Sequence, residues 1–204
     1  MEPSLEDLLN RYRLSRPEQL LIQFSRYLEL LQKWNRRISL TACADWREMR
    51  PFFEEGMWSS CFYPDGPVRH LDLGSGAGFP AILIRIIKER SLLDLVERRT
   101  RPAVFLQTVA RELGLAGTKV HNQDVESFLS ARKKEEPWDI VSSKGVRWSP
   151  AEISVLGGHA RQVWIFHGAG IPKRIGLREE LVLYRREECP SRAGWYLSVF
   201  QSPG

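Results

Sequence analysis

A glycine-rich turn between an apolar strand and an apolar helix constrains the fold of this chain more than any other segment. It reads Leu71-Asp72-Leu73-Gly74-Ser75-Gly76-Ala77-Gly78-Phe79-Pro80. Glycine lets the backbone bend sharply and approach a ligand without a Cβ in the way, and Pro80 suits the first turn of a helix. In an open α/β sheet, ligands lie where the first strand turns into the first helix. The run therefore predicts a ligand-binding turn.

Strands and helices alternate around this turn. The pattern predicts strands at 68–73, 92–97, 119–122, 138–142 and 162–166, with helices at 80–88 and 101–113. Gly114 closes the second of these helices, where a left-handed backbone is easiest for glycine. Repeated strand-then-helix units predict a doubly wound, Rossmann-like α/β sheet that is mainly parallel. Residues 181–185 and 195–200 instead predict an antiparallel hairpin at the sheet edge.

The segment before the sheet is predicted to be helical. Apolar residues recur at helical spacing from Pro17 to Arg36, with Ser15 or Arg16 as the cap and Pro17 in the first turn. A second short helix is expected after Asp45. The turn at 64–67 contains two prolines and a glycine and marks our boundary between an N-terminal helical extension, 1–65, and a cofactor-binding domain, 66–204.

Composition excludes several classes of protein. A chain of 204 residues with 43% hydrophobic residues can bury a full core, which excludes a disordered or fibrous protein. Since no apolar run approaches the ~20 residues of a membrane span and the N-terminus lacks a signal-peptide pattern, we expect a cytoplasmic protein without membrane contact. Cys43, Cys61 and Cys189 are widely separated, so neither a zinc site nor a disulfide framework is predicted. We expect a monomer.

Positive charge is unevenly distributed along the chain. Residues 1–65 carry 9 basic and 10 acidic side chains, so the net charge of +5 arises entirely in the later residues. A face that binds a polyanion is therefore expected on the C-terminal two-thirds. A plain solvated surface is the alternative interpretation of the same excess.

The details of the glycine turn indicate which ligand it holds. A dinucleotide fingerprint has its third glycine five positions after the first, where this chain has Phe79. Asp72 stands two residues before Gly74, where a carboxylate would repel a pyrophosphate but attract a cationic amino-acid moiety. These two features favour S-adenosylmethionine over NAD.

Two acidic segments follow at the ends of the next predicted strands. Glu97 lies 23 residues after Gly74, at the distance where an acid accepts the ribose hydroxyls. A surface carboxylate among neighbouring arginines is the alternative for Glu97. A carboxylate or amide in Asn122-Gln123-Asp124-Val125-Glu126 is expected to meet the adenine edge, although a solvated loop would have a similar sequence.

Four blocks of sequence resemble the bacterial small-subunit ribosomal RNA methyltransferases of the glucose-inhibited-division-B type, which methylate N7 of one guanine. The match extends over about residues 20–170, and Lys-Trp-Asn followed by Leu-Thr together with Gly-Ser-Gly-Ala-Gly-Phe-Pro is quite specific. The blocks are Leu31-Gln32-Lys33-Trp34-Asn35-Arg36-Arg37-Ile38-Ser39-Leu40-Thr41, the run from Leu71 to Pro80, Arg101-Pro102-Ala103-Val104-Phe105-Leu106 with Glu112-Leu113-Gly114-Leu115, and Trp138-Asp139-Ile140-Val141-Ser142-Ser143-Lys144-Gly145.

The resemblance implies an S-adenosylmethionine cofactor and a ribosomal RNA or small ribosomal subunit partner. It implies cofactor contacts at Gly74, Phe79, Val125, Glu126 and Lys144. Combined with the reasoning from the residues, the predicted cofactor site comprises Asp72, Gly74, Ser75, Gly76, Gly78, Phe79, Glu97, Asp124, Val125, Glu126 and Lys144.

The chain departs from the family pattern at several positions. Glu97 replaces the usual Asp and keeps the carboxylate. Lys144 replaces the usual Arg and loses its planar fork of donors. Residues 49–60 lack the family's His and Asp-Ser, and His167-Gly168 stands where the family has Lys-Gly. These losses concern basic groups that would position RNA.

A methyl transfer to N7 requires no strong base, because the nitrogen already offers a lone pair. The catalytic residue is accordingly unknown, with Lys144 and His167 as candidates. The aromatic residues that could stack a base are Phe53, Trp58, Phe79 and Trp148, although such residues more often belong to the core. The basic groups that could contact phosphates are Arg98, Arg99, Arg101 and Arg132-Lys133-Lys134, although such groups more often form a solvated surface.

Three other functions remain open from the sequence. The acceptor could be another RNA, a protein or a small molecule, which the missing basic groups favour. A paralogue that binds cofactor or ribosome without turnover is the second. An NAD-dependent oxidoreductase ranks last because of Phe79 and Asp72.

Overall fold

A computed structural model of the protein describes residues 3–43, 45–131, 137–146, 156, 158–168, 174–175 and 181–201. Its helices are α1 Leu5–Arg11, α2 Pro17–Asn35, α3 Trp46–Ser60, α4 Ala81–Ile87, α5 Thr100–Glu112 and α6 Val125–Ala131. Its strands are β1 Arg69–Leu73, β2 Leu92–Val96, β3 Thr118–His121, β4 Trp138–Lys144, β5 Ala160–His167, β6 Arg174–Ile175, β7 Leu181–Glu188 and β8 Tyr196–Gln201.

The strands form one sheet in the order β3-β2-β1-β4-β5-β8-β7-β6. Strands β1 to β5 are mutually parallel, whereas β8 runs antiparallel to both β5 and β7. The doubly wound α/β sheet and the C-terminal hairpin are thus confirmed. Because β8 is inserted between β5 and β7, β7 runs in the same direction as β1 to β5. The β7–β8 loop consequently lies at the carboxyl edge of the parallel strands.

Local signals account for the ends of several helices. Pro17 is the first residue of α2 and follows Arg16, the N-cap, which has φ 59°. Asp45 caps α3 by accepting a hydrogen bond from the Glu48 amide at 3.0 Å. Gly114, just beyond α5, has φ 62°, as expected for a glycine that ends a helix. Of the two predicted caps of α2, Arg16 is the one observed, and Gly114 ends α5 as predicted.

Other elements differ from the sequence prediction. The helix after Asp45 was expected to be short but has 15 residues. Neither α1 nor α6 was predicted, because each has 7 residues and buries only two apolar side chains, which is too few to give a helical period. A capping box between Ser4 and Asp7 is the signal in the sequence that marks α1.

The N-terminal helices share a hydrophobic core with the sheet domain. Tyr27 of α2 and Phe53 of α3 lie in the same buried cluster as Phe79 and Phe105. Helices α3 and α4 also approach closely, since a Cβ on Gly56 would lie 2.5 Å from the Cβ of Leu83. The division at residue 65 stays a prediction. No helix within the described ranges is both long and apolar enough to cross a membrane.

Candidate functional site

A cleft of about 970 Å³ opens at the carboxyl edge of the parallel strands. It extends from the end of β3, across β2 and β1, to the residues that follow β4. This is the edge at which ligands of open α/β sheets bind. The cleft is lined by Gly74, residues 96–99, 123–126, 129–130 and 145–146, and Leu156.

The glycine turn presents backbone to this cleft. Gly74 has φ 71°, a left-handed conformation, and a Cβ there would lie 2.7 Å from Cγ2 of Val146 in the opposite wall. Its amide donates to the Val96 carbonyl at 2.9 Å. Gly76 also has a positive φ, 54°, and its amide donates to Oε2 of Glu97 at 2.8 Å. Glycine at position 74 therefore keeps the space between the turn and β4 open.

Glu97 lies immediately after β2, as predicted, and its carboxylate is buried although the residue lines the cleft. Besides the Gly76 amide, it accepts hydrogen bonds from the Arg99 amide at 2.9 Å and from Nε of Arg99 at 3.1 Å. A carboxylate offers about four acceptor positions, so one remains for a ligand. The Arg99 side chain is 54% exposed, and its release would free a second position.

The far side of the glycine turn faces the N-terminal helices. The Tyr27 hydroxyl of α2 donates to the Ala77 carbonyl at 2.5 Å, and the Ser75 hydroxyl donates to the Asp72 carbonyl at 3.0 Å. A Cβ on Gly78 would meet Ile82 at 2.6 Å, and Phe79 packs against Phe52 and other aromatic rings. Ser75, Gly78 and Phe79 thus shape the turn from behind, whereas the Gly76 amide is held by Glu97 on the cleft side. Direct cofactor contacts of these four residues stay predictions.

Asp72 belongs to a buried polar chain. Its Oδ1 accepts the Ser142 hydroxyl at 2.6 Å, and Nε2 of His70 lies 2.7 Å from the same hydroxyl oxygen. Because serine has one proton to donate, His70 must be the neutral Nε2–H tautomer. Burial lowers the pKa of His70 to about 3 and raises the pKa of Asp72 to about 7, against the opposing effect of the Ser142 hydrogen bond. Asp72 lies behind the cleft lining, and a direct cofactor contact stays a prediction.

The predicted adenine-edge segment lines the cleft at the start of α6. Oδ1 of Asp124 accepts the Ser127 amide at 2.8 Å, so this carboxylate caps the helix. That hydrogen bond holds the pKa of Asp124 below its ordinary value. Val125 and Glu126 follow it along the wall. Val125 and Glu126 belong to the first turn of α6, and the adenine contact expected of this segment stays a prediction.

Lys144 ends β4 and turns away from the cleft. Its Nζ donates to Oε1 of Glu55 in α3 at 2.6 Å and lies 4.3 Å from the centre of the Phe52 ring. The two charged side chains are 12% and 3% exposed. Burial lowers the pKa of Lys144, while Glu55 acts in the opposite direction. Gly145 and Val146, the next two residues, line the cleft instead.

His167 ends β5 and is hydrogen-bonded through both ring nitrogens. Nδ1 contacts the Gly168 carbonyl, which can only accept, so Nδ1 carries the proton and Nε2 accepts the Ser198 hydroxyl at 2.8 Å. Burial lowers the pKa of His167. The ring is thus neutral and engaged within the sheet.

The side chains considered for RNA contact fall into three groups. Phe53, Trp58 and Phe79 are buried in the core, so they do not present a face to a base. Arg98, Arg99 and Arg101 are exposed beside the cleft. Trp148 and the basic run Arg132-Lys133-Lys134 lie outside the described residues.

Sequence reasoning missed part of the cleft wall. Leu129 and Ser130 come from the unpredicted helix α6, and Leu156 is isolated in the sequence from any motif. Gly145, three residues beyond the predicted strand 138–142 and directly after β4 as observed, is the local signal that could have placed this segment at the ligand edge.

Comparisons with known proteins agree with this geometry. The sequence model of the GidB family, described as rRNA small subunit methyltransferase G, matches residues 20–155. A ribosomal RNA small subunit methyltransferase G from Geobacillus sp. (strain WCH70) is 36% identical over 153 residues, which cover 73% of this chain and 62% of that protein. The chain therefore spans less than two thirds of that relative's length.

Solved structures of low sequence identity share the fold. A conserved hypothetical protein from Streptococcus pyogenes aligns with a TM-score of 0.60 and 17% identity, covering 74% of this chain and 96% of that one. Mitomycin 7-O-methyltransferase MmcR aligns with a TM-score of 0.57 and 13% identity over 77% of this chain and 55% of that one. Because the family model matches more than half of the chain, over residues 20–155, the chain belongs to the rRNA small subunit methyltransferase G family.

Proposed function

We propose that this chain transfers a methyl group from S-adenosylmethionine to N7 of a guanine in small-subunit ribosomal RNA. The observation that carries the proposal is the family match over residues 20–155, which includes the glycine turn and most of the cleft wall. The alternatives with another acceptor class lack a comparable observation in their favour.

The cleft fits the proposed cofactor. Its volume lies within the range of ~300–1,000 Å³ that is usual for small-molecule sites. One acceptor position of Glu97 is available to a ribose hydroxyl, and Asp124, Val125 and Glu126 line the wall where we expect the adenine edge. The carboxylates of the cleft as a group suit a ligand that carries a sulfonium and an ammonium group. Gly74 leaves room for the ligand between the turn and Val146.

Methyl transfer to N7 of guanine requires no base in the site. S-adenosylmethionine supplies a methyl group activated on sulfur. The chain's residues need only orient the two reactants, an effect that can contribute roughly 7–11 kcal/mol to lowering the barrier. Asp72 and His167 are both hydrogen-bonded within the chain. Because N7 already offers a lone pair, the proposed acceptor requires neither group to remove a proton.

The proposal is tested by transfer of radiolabelled methyl groups to intact small ribosomal subunits, to naked small-subunit RNA and to a total cell extract. Gly74→Arg serves as the blank, because a large side chain at this position would enter the cleft. We expect label in subunit RNA at a guanine that becomes sensitive to cleavage at N7-methylated sites. Label confined to protein or small molecules would assign another acceptor and refute the proposed one.

A further inference from the structure

The end of the β7–β8 hairpin lies next to the functional edge but outside the family match. Tyr196, the first residue of β8, pairs with His167 at the carboxyl end of β5. The hairpin end, residues 186–196, therefore continues the edge that carries the cofactor cleft, on the side of β4 and β5. Since the cleft occupies the ends of β1 to β4, this side is where an acceptor can approach.

Two arginines at this hairpin end lie over aromatic rings, one on the face of the sheet that carries His167 and the other on the face that carries Lys144. The guanidinium carbon of Arg186 is 4.1 Å from the centre of the Tyr196 ring, and that of Arg192 is 4.0 Å from the centre of the Trp195 ring. Both arginines are exposed, and neither has an acidic partner within the part of the chain that the structure describes. By contrast, the neighbouring Arg185 is paired with Glu187 at 3.8 Å.

Positive charge at this hairpin end rests on the two stacked guanidiniums. Beyond the larger effect of burial, Arg192 lowers the pKa of Lys144 and Arg186 lowers the pKa of His167, so each arginine lies near a second basic side chain. Lys144 is paired with Glu55 and the His167 ring is neutral, which leaves the arginines as the groups that a polyanion can neutralise.

The loop is held in a fixed conformation. The Cys189 amide donates to the Trp195 carbonyl at 2.7 Å, and the Arg192 amide donates to the Cys189 carbonyl at 3.1 Å. The Ser191 hydroxyl donates to the Pro51 carbonyl in α3 at 3.2 Å. These contacts fix the loop before any partner binds, which lowers the entropy cost of association.

We propose that Arg186 with Tyr196 and Arg192 with Trp195, one pair on each face of the hairpin end, dock the single-stranded RNA next to the acceptor base as it passes over this end. We call this set the hairpin platform; its role as part of the acceptor side rests on the proposed function. The outer face of each guanidinium stacks a base, and its N–H edge reaches a phosphate. Duplex RNA hides its base faces, so the platform favours unpaired segments.

The test is the affinity of the full chain for a fluorescent single-stranded RNA oligonucleotide of mixed sequence, measured by anisotropy over a series of salt concentrations. In Arg186→Gln/Arg192→Gln we expect the affinity to fall at least about tenfold and the salt slope to decrease by ~0.7 for each lost phosphate contact. Arg186→Lys/Arg192→Lys keeps the charge without the flat guanidinium. We expect it to restore the slope but not the full affinity.

A matched control removes the same charge elsewhere. Arg111 and Arg161 have side chains that are 76% and 75% exposed, and Arg161 is at the opposite, amino end of β5. Arg111→Gln/Arg161→Gln should bind RNA as the wild type does. An equal loss in this control, or an affinity within about twofold of wild type in the platform variant, overturns the proposal.

The same titrations separate this inference from the proposed function. RNA binding is measured without methyl transfer, and calorimetry with S-adenosylmethionine checks that the platform variants keep an intact cleft. Loss of RNA binding in the platform variant supports the platform, whether or not the wild-type protein methylates ribosomal RNA. Failure of the wild type to label ribosomal RNA would refute the proposed acceptor and not the platform. Equal affinity of the platform for a duplex of the same sequence contradicts single-strand docking.

Discussion

Gly74 and Gly114 illustrate two different reasons for a glycine, a left-handed backbone and the space that a side chain would occupy. Both have left-handed backbones, with φ of 71° and 62°, so a side chain at either costs about 1–2 kcal/mol in strain. A Cβ at Gly114 would meet no atom within 4 Å, whereas one at Gly74 would fill the space before Val146. Gly114 therefore serves the backbone alone, whereas Gly74 also keeps the cleft open.

We therefore predict that Gly74→Ala and Gly114→Ala lose similar stability but differ in their response to cofactor. In wild type and Gly114→Ala, S-adenosylmethionine at a hundredfold excess over Kd should raise the free energy of unfolding by about 2.7 kcal/mol. In a chain of this size each kcal/mol raises Tm by roughly 2–4 °C, so the bound cofactor should raise Tm measurably. In Gly74→Ala this thermal shift should be lost. Equal shifts in the two variants would contradict the assignment of the cleft.

Asp72 predicts a distinctive pH dependence of stability. Its pKa is raised from 3.8 to about 7 by burial, so between these values the folded chain holds a proton that the unfolded chain releases. The free energy of unfolding contributed by this group falls as pH rises through the window and is level above about pH 7. His70, whose pKa is lowered to about 3, has the opposite sign below its ordinary pKa of 6.5.

Asp72→Asn isolates the carboxyl group, because the His70 contribution is present in both proteins. The unfolding free energy of the variant minus that of wild type should increase from about pH 4 to 7, by up to about 1.4 kcal/mol for each pH unit, and then stay level. Urea denaturation over this range measures the difference. A difference that is constant with pH would show that Asp72 titrates normally.

Residues that are close along the chain could be predicted, and residues brought together by the sheet could not. Gly74, Gly76 and Glu97 follow from a strand, a turn and a spacing, and the structure places all three where a strand ends. The chain of His70, Ser142 and Asp72 depends on the register of β1 against β4, whose residues are about 70 positions apart in the sequence. No local pattern encodes that register.

Helix α3 bears one half of a buried ion pair that joins two of the segments in which the chain departs from the family pattern. The segment at 49–60 lacks the family's His and Asp-Ser, and Lys144 replaces an Arg. The structure joins these positions through the 2.6 Å contact between Glu55 and Lys144. A buried pair contributes little beyond what two apolar residues would, but removal of one partner leaves the other charge uncompensated.

The pair predicts a large coupling in a double-mutant cycle. Lys144→Met should destabilise the chain by about 3–5 kcal/mol, because Glu55 would be left buried without a partner. Adding Glu55→Gln should recover most of this loss, and the double variant should still bind S-adenosylmethionine because neither side chain lines the cleft. Denaturation and calorimetry measure the two effects. A stable Lys144→Met variant that has lost cofactor binding would restore Lys144 to the cofactor site.

Short elements were the least predictable part of the fold. Helix α1 buries Leu8 and Leu9, and α6 buries Phe128 and Leu129, so neither shows two turns of amphipathic period. Their start signals, Ser4 with Asp7 and Asp124 with Ser127, are local and are present in the sequence. Longer periodic segments such as α2 and α5 were predicted within a few residues.

At the scale of the molecule, both proposed binding surfaces lie along one edge of the sheet. The cofactor cleft occupies the carboxyl ends of β1 to β4, and the hairpin platform continues the same edge beyond β5. The N-terminal helices support the glycine turn from behind through Tyr27. The sequence predicted this parallel arrangement and the hairpin, whereas the insertion of β8 between β5 and β7, which carries the loop to the edge, emerged only from the strand pairing.

The most direct test of the central claim is calorimetric titration of the wild-type chain with S-adenosylmethionine, beside Glu97→Gln and the exposed control Glu89→Gln. We expect one binding site per chain. The affinity should fall about tenfold or more in Glu97→Gln, because the carboxylate proposed to accept the ribose hydroxyl is gone, and should not change in Glu89→Gln. Absence of binding to the wild type, or equal affinity in all three proteins, would contradict the assignment of this cleft to the methyl donor.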